Sequence, residues 1–473
     1  MNILIISENF LKGGLETYLY TMYNELKNKN NIYFCFGKFD TGLNIDKKSI
    51  ITDFKFSPNS SISEFINDVN KLIEIIHDKK IDLIIANPFY SLFPTVFAAN
   101  ITNTKIVYLY HGMGSLNFPD GYIDSILFRY SFETTVKKVF CVTKQGIEAF
   151  KRIGYNESIF LPNPIDGKLY KKNTVKLNKK WVLISRLDND KLSDIINFLN
   201  ILPNLDIDKV DIFGEGTEKD YINDYIDENK LKSKVELKGY SAQINEDIEN
   251  KYTGVIGIGR VVIEGLAMNY PVFLIGYNKI VGVINQNIYE KLHHYNFVPN
   301  YCDSLELKEI QKQIKDINKG DMSEYQFRTK IISDFGIKNF VKKFKEETIN
   351  IEFYNKQNIV NLFYEIKKLN NKNYKNNYFY SSIEVYNLMK KYIAVFTNDF
   401  NIKTNFIMYN KIIENNLLIN NINNEKDAMI NEIEYYKINI NNIYNSTSWK
   451  ITKPLRQFKI LIQKFNILDR NKK

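Results

Sequence analysis

Cysteine is scarce in this chain of 473 residues, and long apolar runs are missing altogether. The three cysteines, Cys35, Cys141 and Cys302, are too few and too scattered for a disulfide framework or a zinc site. No uninterrupted run of about 18 apolar residues occurs, so we expect no transmembrane helix. The opening sequence MNILIIS lacks the charged segment and long apolar core of a signal peptide. We therefore expect a cytoplasmic protein in a reducing compartment.

The charge is unevenly distributed, with basic residues concentrated near one end. The net charge is +10, and residues 446–473 alone contain eight Lys or Arg against one Asp. Nucleic acid, an anionic membrane or an anionic sugar donor would each suit such an excess. Because the surplus lies in a tail and the body has no recognised nucleic-acid motif, we do not expect nucleic acid as a partner.

Short apolar segments alternate with helical patterns over the first 350 residues, and this alternation predicts the fold class. Strands covered on both faces lack a polar alternation, as in a doubly wound parallel sheet. The predicted strands are 3–7, 33–37, 83–86, 106–110 and 139–142, then 182–185, 210–213, 235–237, 255–257 and 272–275. We expect an α/β protein with two Rossmann-like domains, residues 1–165 and 166–350, that face a cleft.

Strand signals stop near residue 350, and the remainder divides into two predicted segments. Residues 351–445 are predicted to be a helical extension, in which 412–443 carry a heptad repeat that Lys426 interrupts. The repeat indicates either a coiled coil between copies of the chain or a helix docked on the body. Residues 446–473 mix basic with apolar side chains, which favours an anionic bilayer surface. Docking on the protein itself, or a nucleic-acid contact, are the alternatives for this tail.

The segment 257–284 carries the strongest functional signal. Gly257 and Gly259 precede an apolar helix that begins near Arg260 and contains Glu264. A helix N-terminus presents unpaired N–H groups that suit a phosphate, and a nearby carboxylate suits the hydroxyls of a ribose. The segment therefore predicts a nucleotide site, with Arg260 as a further contact.

Two cations stand five residues apart where a predicted strand turns into a helix. Arg186 and Lys191 can then reach one diphosphate, the arginine by two parallel bonds and the lysine as a point charge. Ion pairs with Asp188 and Asp190 are the alternative role. Those two aspartates also match a metal-binding pattern, but the two cations can balance a diphosphate, so we expect no metal.

Other motifs follow predicted strands and have both a functional and a structural interpretation. Gly13 and Gly14 permit a tight turn whose N–H groups face the cleft, or form an ordinary Rossmann turn. His111 follows a strand, where a neutral imidazole can donate or accept a hydrogen bond, or serve only the structure. Gly214 and Gly216 lie at the expected nucleotide edge, although such a pair is equally typical of close packing.

In this order and spacing, the motifs over residues 1–350 resemble glycosyltransferase family 4 and its GT-B fold. The resemblance implies a retaining, metal-independent transfer from a nucleoside-diphosphate sugar to a glycan or lipid-linked acceptor, without a cofactor. It assigns the donor sugar to His111, the leaving diphosphate to Arg186 and Lys191, and the ribose to Glu264. The family has a second glutamate eight residues earlier, where this chain has Ile256.

The end of the chain carries a second resemblance. Residues 446–456, STSWKITKPLR, resemble a tail of bacterial cell-surface glycosyltransferases. This implies synthesis of a surface polysaccharide at the inner face of the membrane. Two other classes remain open: a non-catalytic GT-B subunit of a polysaccharide assembly complex, suggested by Ile256, and a nucleotide-sugar epimerase, which would need no acceptor.

Overall fold

The computed structural model describes residues 1–394 except 12, 41–42, 88, 113–134, 153–154, 242, 352–356 and 371–377. The heptad segment 412–443 and the basic tail 446–473 lie outside the described residues. Met1–Phe396 form one compact unit, which contains every element named below.

A seven-stranded sheet forms the centre of the first domain. Its strands are β1 (Asn2–Phe10), β2 (Asn31–Phe39), β3 (Ile50–Ile51), β4 (Leu83–Ala86), β5 (Lys105–Tyr110), β6 (Lys138–Cys141) and β7 (Ser158–Phe160). They are parallel and ordered β3-β2-β1-β4-β5-β6-β7. Because the order reverses between β1 and β4, the chain leaves these two strands in opposite directions. A crevice opens there at their carboxyl ends.

Four described helices cover this sheet: α1 (Gly14–Leu26), α2 (Ile62–Asp78), α3 (Leu92–Thr102) and α4 (Lys144–Arg152). Helix α2 begins with a capping box, in which Ser61 and Glu64 satisfy each other's backbone N–H groups. All four residues of β4 are buried, and nine of the eleven residues of α3 are buried as well. Such elements are apolar on every side because other elements cover both of their faces.

The second domain repeats this plan around six strands. They are β8 (Lys180–Ile184), β9 (Lys209–Phe213), β10 (Val235–Gly239), β11 (Gly254–Gly257), β12 (Val272–Gly276) and β13 (Lys279–Val283), ordered β10-β9-β8-β11-β12-β13. Only β12 and β13 pair antiparallel. The order reverses between β8 and β11, so the second crevice lies at their carboxyl ends.

The helices of the second half follow the same alternation at first and then continue without strands. They are α5 (Asn189–Ile201), α6 (Lys219–Glu228), α7 (Ile244–Asp247), α8 (Arg260–Ala267), α9 (Gln286–Leu292), α10 (Leu307–Asn318), α11 (Arg328–Phe335) and α12 (Ile337–Ile349). The predicted α/β class, with two Rossmann-like domains, is confirmed by this arrangement of the described residues.

Helix α12 carries the chain back to the first domain. Ile165 and Gly336 form a parallel bridge where the two chain segments cross. The ring of Phe340 meets Tyr18 edge-on at 5.5 Å between centroids, and Phe344 lies 5.3 Å from Phe140. The sequence-based division counted α12 with the second domain, yet its apolar face belongs to the core of the first.

Two more helices follow: α13 (Gln357–Asn370) packs on α2 and α3, and α14 (Ile383–Ala394) packs on α13. The ring of Phe379 stacks on Phe65 with centroids 3.7 Å apart. Phe363 lies 5.8 Å from Phe97 of α3. The described part of the extension therefore covers an apolar face of the first domain.

Candidate functional site

The turn from β11 into α8 places the most informative side chains of the second domain. Gly259 caps α8 with a φ of 61°, a conformation that side chains other than glycine rarely adopt. A Cβ at Gly257 would lie 2.6 Å from a methyl carbon of Val261. The two glycines let the strand pass directly into the helix, so α8 begins at Arg260 and Glu264 lies one turn inside it.

Glu264 is held in place before any ligand arrives. Its Oε1 atom accepts hydrogen bonds from Tyr170 Oη at 2.7 Å and from Arg260 Nε at 2.8 Å. Burial, reinforced by the charge of Glu264, raises the pKa of Tyr170, so the phenol keeps its proton and donates it. A carboxylate fixed in this way is preorganised to accept hydroxyl groups through its remaining lone pairs.

Arg260 also connects the two domains. Its Nη2 atom donates to Thr21 Oγ1 of α1 at 3.2 Å, and that hydroxyl in turn donates to the carbonyl of Thr17. Its third nitrogen, Nη1, is buried and has no hydrogen-bond partner within the described part of the chain. The side chain of Arg260 is only 9% exposed.

Ile256, which stands where the family has the first of its two glutamates, does not face the cleft. It is a fully buried residue of β11, paired with Leu183 on one side and Phe273 on the other. Its side chain belongs to the hydrophobic cluster around Trp181. The Ile256 side chain therefore packs in the sheet core and supplies no contact to a sugar.

Arg186 and Lys191 follow β8, the strand next to β11, as the sequence predicted. In this structure the guanidinium of Arg186 pairs with Asp188 and with Asp190, the latter at 2.9 Å. Lys191 lies 3.3 Å from Asp190 and 5.5 Å from the ring centre of Tyr277. These are the ion pairs considered as the alternative. Contact with a diphosphate stays a prediction. It would require Arg186 and Lys191 to leave these aspartates and bind the phosphates instead.

Gly214 and Gly216 support the turn that carries Arg186. A Cβ on Gly214 would lie 1.8 Å from the carbonyl oxygen of Ser185, and one on Gly216 would lie 2.3 Å from Leu187. The N–H group of Leu187 donates to the carbonyl of Glu215 at 2.9 Å. These glycines therefore allow two backbone segments to approach closely, and their contact with a nucleotide stays a prediction.

Gly13 and Gly14 lie at the start of α1, beside the first crevice. Gly13 is extended, with a φ of −178°, and Gly14 is the first helical residue. Neither residue uses the left-handed region. A Cβ on Gly14 would meet nothing within 4 Å, and no side chain caps the helix. The free N–H groups of this N-terminus are consistent with the predicted phosphate contact.

His111 lies just beyond the end of β5. Its Nε2 atom is 3.3 Å from Asn87 Oδ1, and the Asn87 amide donates to the carbonyl of Ile6. Its ring meets the ring of Tyr18 edge-on at 4.8 Å. Burial lowers the pKa of His111 to about 3, so the imidazole is neutral near pH 7.

A carboxylate that sequence reasoning missed lies near the end of β1. Glu8 accepts one long hydrogen bond, from the N–H of Tyr90 at 3.4 Å. Burial raises its pKa to about 7, which the bond from Tyr90 only partly opposes. Glu8 lies near the end of β1, and Asn87 and His111 directly follow β4 and β5, so these polar groups line the same edge of the first sheet.

A surface pocket of about 450 Å³ lies in the second domain. It is lined by Asn269, Gln286, Ser323, Glu324, Gln326, Phe327, Arg328, Thr329 and Lys330. None of the predicted site residues lines it. The crevice residues identified above carry the better-organised chemistry.

Comparison with known proteins matches part of the chain to a family. Residues 12–168, about a third of the chain, match the family model of Glycosyltransferase Family 4. The poly(glycerol-phosphate) alpha-glucosyltransferase of Bacillus subtilis (strain 168) is 30% identical over 151 residues, which are 30% of this chain. The matched part is 22% of the relative, so the chain spans about a fifth of its length.

Solved structures share the two-domain architecture. HepE of Anabaena, in complex with UDP and glucose, aligns with a TM-score of 0.56 at 17% identity, over 74% of this chain and 100% of that one. Sucrose-phosphate synthase of Thermosynechococcus elongatus aligns with 0.55 at 13% identity, over 73% and 97%. The predicted GT-B fold is confirmed. In the described part of the chain, no helix is long and apolar enough to cross a membrane.

Proposed function

We propose that the protein is a glycosyltransferase that moves a sugar from a nucleoside-diphosphate sugar to an acceptor. The observation that carries this proposal is Glu264. Two buried donors fix its carboxylate one turn inside α8, next to the crevice between β8 and β11. In this proposal the ribose hydroxyls bind the Glu264 carboxylate, and the phosphates bind at the start of α8. The family match over the first domain supports the same activity.

The proposed mechanism needs no side-chain nucleophile. The acceptor hydroxyl attacks the sugar from the face that the diphosphate leaves, so the configuration is retained. The proton of that hydroxyl passes to the departing phosphate. Arg186 and Lys191 stabilise the negative charge that grows on the leaving group, without a metal. Neutral His111 lies across the cleft as a hydrogen-bond partner for the donor sugar, and closure of the domains excludes water.

The comparisons suggest the donor and the acceptor class. The Anabaena relative is described with UDP and glucose, so a uridine nucleotide is the first donor to test. The Bacillus relative is named as an alpha-glucosyltransferase of poly(glycerol-phosphate). We propose a glycan or lipid-linked acceptor at the inner face of the membrane. In this proposal residues 446–473 meet the membrane and residues 412–443 pair with a second copy.

Nucleotide binding by the purified full chain tests the proposal. Thermal unfolding is followed with UDP, other nucleoside diphosphates and their sugars. A ligand at 100 times its dissociation constant stabilises by about 2.7 kcal/mol. We expect one base to raise the unfolding temperature in wild type and in Glu228→Ala, a control at an exposed carboxylate of α6, but not in Glu264→Ala. No shift with any nucleotide would contradict the proposal.

The two alternatives predict different results. A non-catalytic subunit, for which Ile256 supplies no sugar-binding carboxylate, binds no nucleotide and fails the thermal experiment. An epimerase binds nucleotide but changes the sugar without an acceptor, which proton NMR of the free donor detects. A transferase leaves the configuration of the donor sugar unchanged and releases nucleoside diphosphate faster when acceptor is added.

A further inference from the structure

Two buried polar atoms on opposite sides of the domain boundary have no protein partner. They are the hydroxyl of Tyr18 on α1 and Nη1 of Arg260 on α8, and neither makes a hydrogen bond within the described part of the chain. Tyr18 is fully buried and the Arg260 side chain is 9% exposed. A buried donor without an acceptor is unfavourable, so each such group needs an explanation, and a ligand that accepts from it is one.

The contacts of Arg260 bring the two donors to one place. Thr21, which accepts from Arg260 Nη2, stands three residues after Tyr18, so the two side chains share one face of α1. The charge of Arg260 acts on the Tyr18 hydroxyl and opposes the rise in pKa that burial causes there. The ring of Tyr18 also touches His111, which belongs to the same side of the cleft.

The chemistry of this cluster is that of a donor set. Burial holds the pKa of Tyr18 well above its usual value, so the phenol carries a proton to donate. A guanidinium has N–H groups and no acceptor. The start of α1, one turn before Tyr18, adds uncapped N–H groups and the positive end of the helix dipole. A ligand that satisfies these groups must present oxygen atoms, and negative charge on them strengthens each bond.

We propose that Tyr18 and Arg260 form an oxyanion subsite of the donor, filled by the distal phosphate or by a carboxylate on the transferred sugar. This rests on the proposed function, since it assumes that a nucleotide sugar binds at Glu264. Arg260 then has three tasks, one for each nitrogen. Nε orients Glu264, Nη2 holds the first domain through Thr21, and Nη1 binds the ligand.

The substitution Tyr18→Phe tests the subsite cleanly, because no described residue forms a hydrogen bond with the hydroxyl that it removes. We expect the variant to unfold at the wild-type temperature or slightly above it. Tyr270→Phe is the matched control, since that buried hydroxyl donates to the carbonyl of Ile248 and lies outside the subsite. Affinities of full-length wild type and both variants are measured by calorimetry for UMP, UDP, UDP-glucose and UDP-glucuronate.

The four affinities distinguish a phosphate from a carboxylate as the ligand of the subsite. If the distal phosphate fills the subsite, Tyr18→Phe weakens UDP about fivefold and leaves UMP unchanged. If a sugar carboxylate fills it, only UDP-glucuronate weakens. Equal affinities of wild type and Tyr18→Phe for all four ligands, or an equal loss for all four, would overturn the subsite while leaving the proposed function intact. Wild type that binds none of them, and no other nucleoside diphosphate in the thermal experiment, would instead refute the proposed function, and the subsite with it.

A second variant asks whether the arginine shares this role. Arg260→Lys keeps the charge but lacks the forked guanidinium, so it also disturbs Glu264. The informative quantity is therefore the ratio of UDP to UMP affinity, in which the disturbance at the ribose cancels. We expect this ratio to fall about tenfold if the phosphate is the ligand. A carboxylate ligand would lower the ratio of UDP-glucuronate to UDP-glucose affinity instead. If neither ratio changes, Arg260 is not part of the subsite.

Discussion

Tyr170 Oη and Glu264 Oε1 lie 2.7 Å apart, although 94 positions separate the two residues in the chain. Tyr170 belongs to the polar segment 167–179, which the sequence presents as a linker. Arg328 fastens that segment by donating to the carbonyls of Tyr170 and Gly167, at 2.6 and 3.0 Å. The connection between the domains is therefore also part of the proposed nucleotide site.

Removing the Tyr170 hydroxyl should weaken nucleotide binding, whereas a similar loss of stability elsewhere in the domain should not. Tyr170→Phe loses one hydrogen bond, worth about 1 kcal/mol, and leaves Glu264 with a single donor. We expect nucleotide affinity to fall about threefold to tenfold, measured by calorimetry. Tyr270→Phe should lose similar stability in urea and keep wild-type affinity. Equal affinities of the two variants would contradict this role of Tyr170.

The cations after β8 should matter for turnover and little for folding. Arg186 is 51% exposed, and such ion pairs contribute at most about 1 kcal/mol. We expect Arg186→Ala to unfold near the wild-type urea midpoint but to transfer sugar at least about tenfold more slowly, because a charged contact to the leaving group is lost. Lys209→Ala removes an exposed pair with Glu236 in the same domain and serves as the control. Wild-type turnover in Arg186→Ala would exclude the diphosphate role.

Gly214 should tolerate no side chain. Its Cβ would lie 1.8 Å from a backbone oxygen of Ser185, so the turn or the strand must move. We expect Gly214→Ala to lower the free energy of unfolding by at least about 2 kcal/mol. Gly14→Ala, in open space at the start of α1, should unfold like wild type or slightly later. Urea denaturation followed by circular dichroism compares the two, and similar midpoints would contradict the packing role of Gly214.

The extension should contribute to the stability of the first domain. Phe379 is fully buried and stacks on Phe65, so Phe379→Ala leaves a cavity and should cost about 3–5 kcal/mol. Tyr364→Ala, at an exposed position of α13, should change stability by less than about 0.5 kcal/mol. Urea midpoints measure both effects. A small effect of Phe379→Ala would mean that the extension packs weakly.

Glu8 should make stability fall as the pH rises. Burial raises its pKa from 4.5 to about 7, so the folded protein holds this proton more tightly than the unfolded chain does. The stabilisation is therefore complete below about pH 4.5 and is lost as the pH rises through about 7. Glu8→Gln imitates the protonated form and should remove this part of the pH dependence. The difference between wild-type and variant free energies of unfolding, measured from pH 4.5 to 8, isolates the group. A constant difference would contradict the prediction.

The fold was predictable where buried elements produce apolar runs in the sequence, and strands were missed where elements are short or only partly buried. Strands such as β4 and β11 are fully buried, so their apolar runs stand out in the sequence. Three strands were not predicted: β3 and β7, which are two and three residues long and only half-buried, and β13, the partly buried antiparallel partner of β12. Long helices were similarly visible through their apolar periodicity.

The site was predictable where one local motif builds it. Gly259 and Glu264 lie in the same strand-to-helix turn, so their spacing identifies them. Tyr170 and Thr21 reach the site from 94 and 239 positions away, and no local pattern marks them. Gly214 illustrates a different limit. A glycine that admits a ligand and a glycine that admits neighbouring backbone have the same sequence signature, and only the Ser185 carbonyl distinguishes them.

The return of α12 to the first domain has a consequence for working with pieces of this protein. Residues 12–168 match a family model, yet a fragment cut at their end would lack Phe340 and Phe344. It would expose the apolar sides of Tyr18 and Phe140, which those rings cover. The unit of homology is thus smaller than the unit of folding. Expression trials, deletion maps and recombination between relatives should keep Met1–Phe396 together.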